Sequence, residues 1–197
     1  MVEDGPGGRR RRFDPDRRDR IIDACLQVIG DVGVAGASTR RIAAAADVPL
    51  GSISYHFTDV DELLRAAFER FARRVSDRFE ERLARAVTLD EARQAVVDLI
   101  GTDVLVDPHE LVLTHELYTL AARDPGYRRL THEWMARSRH ALERHFDPTT
   151  ARLLDALIEG LSIHRALDTE PHDPGEIERA VALVTRPTTG TTTPPGR

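Results

Sequence analysis

Apolar side chains recur along this chain at spacings of three and four, the period of a helix with one buried face. Ile22, Cys25, Leu26 and Ile29 set that period in a first helix over residues 16–32, which Gly33 and Gly36 break. Ser38 offers its hydroxyl to an orphan backbone N–H, so a second, short helix starts there and turns Ile42, Ala45 and Ala46 inward. Val48-Pro49 marks a turn, and a third short helix spans residues 50–57. From Asp59 or Val60 a long helix runs through Leu63, Leu64, Ala67, Phe68, Phe71, Val75 and Phe79. Further helices are predicted over residues 89–103, 108–123, 127–146, 150–167 and 174–186.

Asp-Pro pairs punctuate the later segments, at Asp107-Pro108, Asp124-Pro125, Asp147-Pro148 and Asp173-Pro174. Proline restricts the residue before it yet fits a first helical turn, so each pair marks a boundary. No heptad pattern is sustained and no internal repeat appears, which argues against a coiled coil. The expected fold class is all-α, with about nine helices: a three-helix N-terminal domain over residues 16–58 and a larger helical domain over residues 59–186. Residues 1–15, rich in glycine, proline and arginine, and residues 187–197, rich in threonine, are expected to be disordered tails.

Composition narrows the picture. The 197 residues are 41% hydrophobic, 31% charged and 5% aromatic, suited to a helical protein with a sizeable core. No window approaches about 18 consecutive apolar residues, so no membrane span is expected. The arginines Arg9 to Arg12 are followed by Phe13, Asp14 and Pro15 and not by an apolar stretch, unlike a signal peptide, and a cytoplasmic location is expected. The single cysteine, Cys25, has apolar neighbours and reads as core filling.

The net charge of −5 is unevenly distributed. Residues 1–57 hold nine arginines against eight acids, and seven of those arginines lie between Arg9 and Arg20. Such an arm can meet phosphates or serve as a solubilising tail.

The most informative stretch runs from Ser38 to Phe57. Two short helices cross closely only where contact residues are small, and Ala43 and Ala46 meet that need. Ile42, Val48 and Ile53 can seal the core behind them, leaving the polar face of the third helix free to enter a major groove. Asp47 sits in the tight turn, where a left-handed backbone is tolerated better by aspartate than by most side chains.

Ser38, Ile42-Ala43, Ala46-Asp47-Val48, Gly51-Ser52-Ile53 and Tyr55-His56-Phe57, followed by Glu62-Leu63-Leu64, resemble the DNA-binding domain of the TetR family of transcriptional regulators. The likeness covers residues 21–68. The chain departs from the usual pattern in three places. Asp47 replaces a glycine, Ser54 stands where tyrosine is common, and Val60 stands where a lysine often meets phosphate.

The resemblance implies a helix-turn-helix domain joined to a ligand-binding and dimerisation domain. It also implies a homodimer bound to duplex DNA with a palindromic operator, from which a small organic effector, of unknown identity, releases a repressor. Arg40, near the start of the second helix, is a groove-facing candidate for guanine or phosphate, with plain surface charge as the alternative. At the leading end of the third helix, Gly51 permits close backbone approach, Ser52 offers a hydroxyl and Leu50 an apolar contact for a thymine methyl. Tyr55 and His56 resemble the family's phosphate-facing pair, and Ser38 combines capping with a phosphate contact. The resemblance places the partner interface on the last two helices, for which Leu153, Leu157, Gly160, Leu161, Ile177 and Val181 are the candidates. Internal packing is the alternative for these.

Tyr118 and Trp134 are candidates for an effector pocket or for helix packing. His109-Glu110 and His115-Glu116 lack the His-Glu-x-x-His spacing of a zinc site and read equally as a solvated edge. No Gly-x-Ser-x-Gly elbow, phosphate-binding glycine loop or catalytic cysteine setting is present, so neither an enzyme nor a cofactor is expected. A helical interaction module that reads no DNA sequence is the second function class, favoured by Asp47 and Val60.

Overall fold

The Asp-Pro pairs do more than interrupt helices. Asp107 accepts a hydrogen bond from the amide of His109 at 2.9 Å, Asp124 from Gly126 at 2.6 Å and Asp147 from Thr149 at 3.0 Å. In each case a proline occupies the first turn behind the cap. Each carboxylate satisfies a donor the helix cannot pair internally, and the proline has no such donor to leave orphaned.

The computed structural model describes residues 15–105, 107–173 and 175–186. The helices among them are α1 (Arg17–Gly36), α2 (Thr39–Ala45), α3 (Gly51–His56), α4 (Val60–Ala84), α5 (Leu89–Asp98), α6 (Pro108–Ala121), α7 (Pro125–Glu143), α8 (Pro148–Leu167) and α9 (Glu176–Val184). The all-α expectation with about nine helices holds. The arginines Arg9 to Arg12, the tail over 187–197 and all but Pro15 of the N-terminal tail lie outside the described residues.

Two apolar cores organise the chain. The upper one takes Ile21, Ile22, Cys25 and Ile29 from α1, Ile42 from α2 and Ile53 from α3. It continues without a break into Leu63, Ala67 and Phe68 of α4, Leu117 of α6 and Tyr127 of α7. The lower core gathers Phe79, Leu83, Leu99, Leu142, Leu154 and Val181. The 25-residue α4 contributes to both, spanning about 37 Å at a rise of about 1.5 Å per residue. Cys25 fills core space as expected, and burial pushes its thiol up to about 12.

Three local features depart from the sequence pattern. In α2 the buried small residues are Ala43 and Ala46, whereas Ala45 is exposed. The helix expected over residues 89–103 is α-helical only to Asp98 and then widens into a π-helical turn over Leu99–Asp103. Leu105, just beyond it, is buried with φ at 55°, a left-handed conformation costing about 1–2 kcal/mol for a side-chain-bearing residue. Arg82 holds this corner by gripping Asp103 through two 2.8 Å hydrogen bonds and reaching Asp98 at 3.3 Å.

In α9, Ile177 and Val181 are 7% and 1% exposed and fill the chain's own lower core. Their expected place in a partner interface is corrected: the apolar stripe of α9 is used internally, and Leu183, 59% exposed, takes the outward position.

Candidate functional site

The N-terminal three helices form a small head built on close contacts. Ala43 and Ala46 lie against Ile42, Ile53 and Phe57, and the chain reverses between α2 and α3 through Asp47, whose φ is 51°. The Val48 amide returns to the Ala43 carbonyl at 3.0 Å, closing the turn. Glycine adopts this conformation without a Cβ penalty, so Asp47→Gly should raise the unfolding free energy by up to about 1 kcal/mol. A urea midpoint that rises at unchanged slope checks this; an unchanged or lower midpoint refutes it.

The head's outer face carries most of the residues expected there. The Ser38 hydroxyl caps α2 by accepting from the Arg41 amide at 3.3 Å. Arg41 folds back, donating to the Gly36 carbonyl at 3.0 Å, while Arg40 is exposed and has no ion pair among the described residues. Leu50 is half exposed, and a Cβ added at Gly51 would meet nothing within 4 Å, so this end of α3 is open. Tyr55 is 80% exposed, with its ring edge against His56, which is half-buried between Tyr55 and Phe57.

Ser52 requires a correction. It is only 9% exposed, so little of its side chain is offered to a partner. The exposed hydroxyl on α3 belongs to Ser54, which donates to the Gly51 carbonyl at 3.3 Å.

Val60 stands partly exposed in the first turn of α4, at the place where the resemblance leads one to expect a lysine. Asp59 accepts from the Glu62 amide at 2.8 Å and Glu62 from the Thr58 amide at 2.6 Å, fixing that turn. Nearby, the Arg18 guanidinium lies over the Phe57 ring at 5.1 Å, bringing one arginine of the N-terminal arm beside the end of α3.

The head is keyed to α6. α1 is interrupted at Gly33 (φ 70°), and the freed Val34 amide donates to Glu116 Oε1 at 3.0 Å. His109 Nε2 lies 3.1 Å from Asp31, and its ring packs so closely on Gly30 that a Cβ there would lie 2.7 Å from it. Glu110 meets Arg78 at 2.5 Å, and His115 Nδ1 lies 2.8 Å from the Leu111 carbonyl. The four side chains weighed as a metal set are thus engaged by four different partners.

At the far side of α6 lies a cavity walled by α4, α6, α7 and α8. Trp134 and Tyr118, both singled out from sequence, stack there at 6.1 Å and 28°, with Phe71 edge-on to Trp134 at 5.8 Å. About 60 Å³ is open to the centre of a water-sized sphere, room for a few waters and far below the roughly 300–1,000 Å³ of a typical ligand pocket.

Three carboxylates share this wall: Asp155 and Glu159, which sequence reasoning missed, and Glu110, which it weighed only as a metal ligand. Burial pushes Asp155 up to about 6 against the opposing pull of Arg139 at 3.3 Å. Burial, and then the neighbouring Glu159, raises the Tyr118 phenol. A wider groove of about 390 Å³ between α4 and α7 is open to solvent, and its Arg65 and Arg137 are held by Asp61 and Asp124 and by Asp77 and Glu80.

The outer face of α8 is apolar. Leu153 is 53% exposed, Leu157 and Leu161 are half-buried, and Gly160 has open space where a Cβ would stand.

A family model described as "Bacterial regulatory proteins, tetR family" matches residues 21–67, and one described as "Tetracyclin repressor-like, C-terminal domain" matches residues 87–187. The HTH-type transcriptional regulator BetI of Cronobacter sakazakii is 32% identical over 184 residues, covering 87% of this chain and 89% of that protein. Among solved structures, the Streptomyces coelicolor A3(2) protein SCO7518 is 56% identical with a TM-score of 0.80, covering 87% of this chain and 99% of that one. The multidrug binding protein EbrR, crystallised with imidazole, is 34% identical with a TM-score of 0.69, covering 89% and 99%. EbrR has also been crystallised with ethidium.

Proposed function

This chain belongs to the TetR family of transcriptional regulators, and from that premise we propose that it is a homodimeric repressor released from a palindromic operator by a small organic effector. Residues 16–58 serve as the DNA-binding domain and residues 59–186 as the effector-binding and dimerisation domain. The observation that carries the reading is the continuity of α4, which packs into the head through Leu63, Leu64 and Phe68 and lines the cavity through Phe71, Val75 and Phe79. One stiff element therefore touches both ends of the switch.

In the operator complex, Arg40, Leu50 and Gly51 face base edges, while Ser38, Tyr55 and His56 anchor phosphates. Arg18 stands in for the charge that Val60 lacks. Two heads related by a two-fold axis read two half-sites, which makes the operator palindromic. The outer face of α8, with Leu153, Leu157, Gly160 and Leu161, joined by Leu183 of α9, covers its counterpart on the partner.

A molecule entering the cavity widens it and moves α6. Because α6 holds α1 through Glu116, His109 and the close fit at Gly30, that movement reaches the head. An effector that binds better to the displaced arrangement depopulates the spacing that bridges both half-sites. The complexes of EbrR with imidazole and ethidium support reading the cavity as a small-molecule site.

Selection from a random duplex library should recover a palindrome. Arg40→Ala should weaken binding by about 10- to 100-fold and relax the preference at one position of each half-site, whereas Tyr55→Phe should weaken all sequences alike and by less. Unchanged affinity in both variants would remove these assignments. A folded dimer that selects no sequence at several salt concentrations would point to an interaction module instead.

A further inference from the structure

We propose that the cavity between α4, α6, α7 and α8 takes a flat, apolar monocation whose charge is received by Glu159. This rests on reading the cavity as the effector site and adds the chemistry of what enters it.

The wall is unbalanced in charge. Among the described residues that line it, three are carboxylates, Glu110, Asp155 and Glu159, and none is an arginine, lysine or histidine. Two of the three have a cation behind them: Arg78 lies 2.5 Å from Glu110 and Arg139 lies 3.3 Å from Asp155. Glu159 has no such ion pair among the described residues, and its neighbour is the Tyr118 phenol. Asp155 and Glu159 stand one turn apart on α8 and so share a face, and Glu159 adds to the upward push on Asp155. One carboxylate of the wall, half-buried and hydrogen-bonded by the Tyr118 phenol, is thus left without an ion pair among the described residues, and an entering cation would supply it.

A second observation points independently to a ligand. Thr114, on the α6 wall, is only 4% exposed, and its hydroxyl has no hydrogen-bond partner. Buried hydroxyls are ordinarily paired, and this one is left unpaired in the wall just behind the open space.

Shape and surface set the rest. The near-parallel Tyr118 and Trp134 rings, with Phe71 edge-on, present π faces that favour a planar cation over a neutral molecule of the same outline. An anion would meet three carboxylates. A second positive charge on the ligand would have to displace Arg78 or Arg139. The walls able to yield are Met135, unbranched and adaptable, and Leu105, already in a strained backbone conformation.

Trp134 is the chain's one tryptophan and lines both this cavity and the α4–α7 groove, so its fluorescence reports on the two, and the Glu159 variant below tells them apart. The full chain is titrated at pH 8 with three probes of one three-ring outline: N-methylacridinium as cation, acridine as neutral molecule and 9-anthracenecarboxylate as anion. The cation should quench Trp134 saturably and bind at least about ten-fold tighter than either of the others, since one charged contact out of water is worth that much. Glu159→Gln should remove the preference while leaving acridine's affinity unchanged, with far-UV circular dichroism and the thermal midpoint reporting that the variant folds. Equal affinity for the three probes, preference for the anion, no saturable quenching by the cation, or an unaltered preference in Glu159→Gln overturns the proposal.

Operator release, followed in the same titrations, separates this inference from the repressor reading. Cation-selective quenching without release keeps the cavity assignment and removes the repressor reading. Release by a neutral or anionic compound, with no cation preference at Trp134, does the reverse.

Discussion

Phe68→Ala should lower the free energy of unfolding by about 3–5 kcal/mol and melt the head together with α6 and α7. Phe68 is fully buried on α4 at the centre of the upper core, with its ring edge-on to Tyr127 of α7 at 6.0 Å. Removing the ring opens a void in the core that α1, α4, α6 and α7 share, so the loss should be felt on both sides of the residue 58/59 boundary. Tyr127 is itself tied to α4, since its hydroxyl donates to Asp61 at 3.0 Å and Arg65 lies over its ring at 4.8 Å. Urea unfolding followed by Trp134 fluorescence and by far-UV circular dichroism should give coincident transitions at a lowered midpoint. A head that melts separately, leaving the Trp134 transition unmoved, would show that the upper core is not one cooperative unit.

Gly160→Arg should give a folded monomer whose affinity for the full operator falls by at least about 100-fold. A side chain at residue 160 would meet nothing within 4 Å in the chain itself, so the substitution introduces no strain into the protomer. It also replaces a poor helix former inside α8, which favours the folded monomer by about 0.5–1 kcal/mol. Against a partner helix packed on the Leu153 and Leu157 side, the long charged side chain is both a steric bar and an unpaired charge in an apolar interface. Losing the second head removes the gain from linked binding, which is on the order of 100-fold to 10,000-fold. Sedimentation gives the mass and a duplex-binding titration the affinity; a stable dimer of Gly160→Arg would move the interface off this face.

Helix positions were largely legible because caps and breakers are local. Ser38, Gly33 and the Asp-Pro pairs act within a few residues of where they stand, and the observed ends fall within about four residues of the expected ones except in α5. The left-handed turn at Asp47 was readable for the same reason. The π-helical turn at Leu99–Asp103 was not, since one extra residue per turn leaves the composition unchanged and shows only in the phase of later side chains.

The misplaced side chains share another cause. In α2 and α3, seven and six residues long, too few apolar positions exist to fix the phase, so Ala45 was turned inward and Ser52 outward. The apolar stripe of α9 was seen correctly, but periodicity cannot distinguish the chain's own core from a partner's, and Ile177 and Val181 went to the former. Tyr118 and Trp134 were found as isolated aromatics. Their carboxylate neighbours were missed as pocket residues because Glu110 of α6 meets Asp155 and Glu159 of α8 only when the two helices pack.

The narrowness of the cavity has a kinetic meaning. With room for only a few waters between Trp134 and the α8 wall, a three-ring molecule cannot simply diffuse into place. It must wait for the helices to part or must force them apart, so entry is paced by a motion of the protein, on a timescale of microseconds to milliseconds, and not by encounter. The same gate acts on departure: a molecule once enclosed leaves only as often as the walls open. The regulator would therefore hold a memory of exposure, remaining off the operator for a dwell set by its own breathing after the surrounding concentration has fallen.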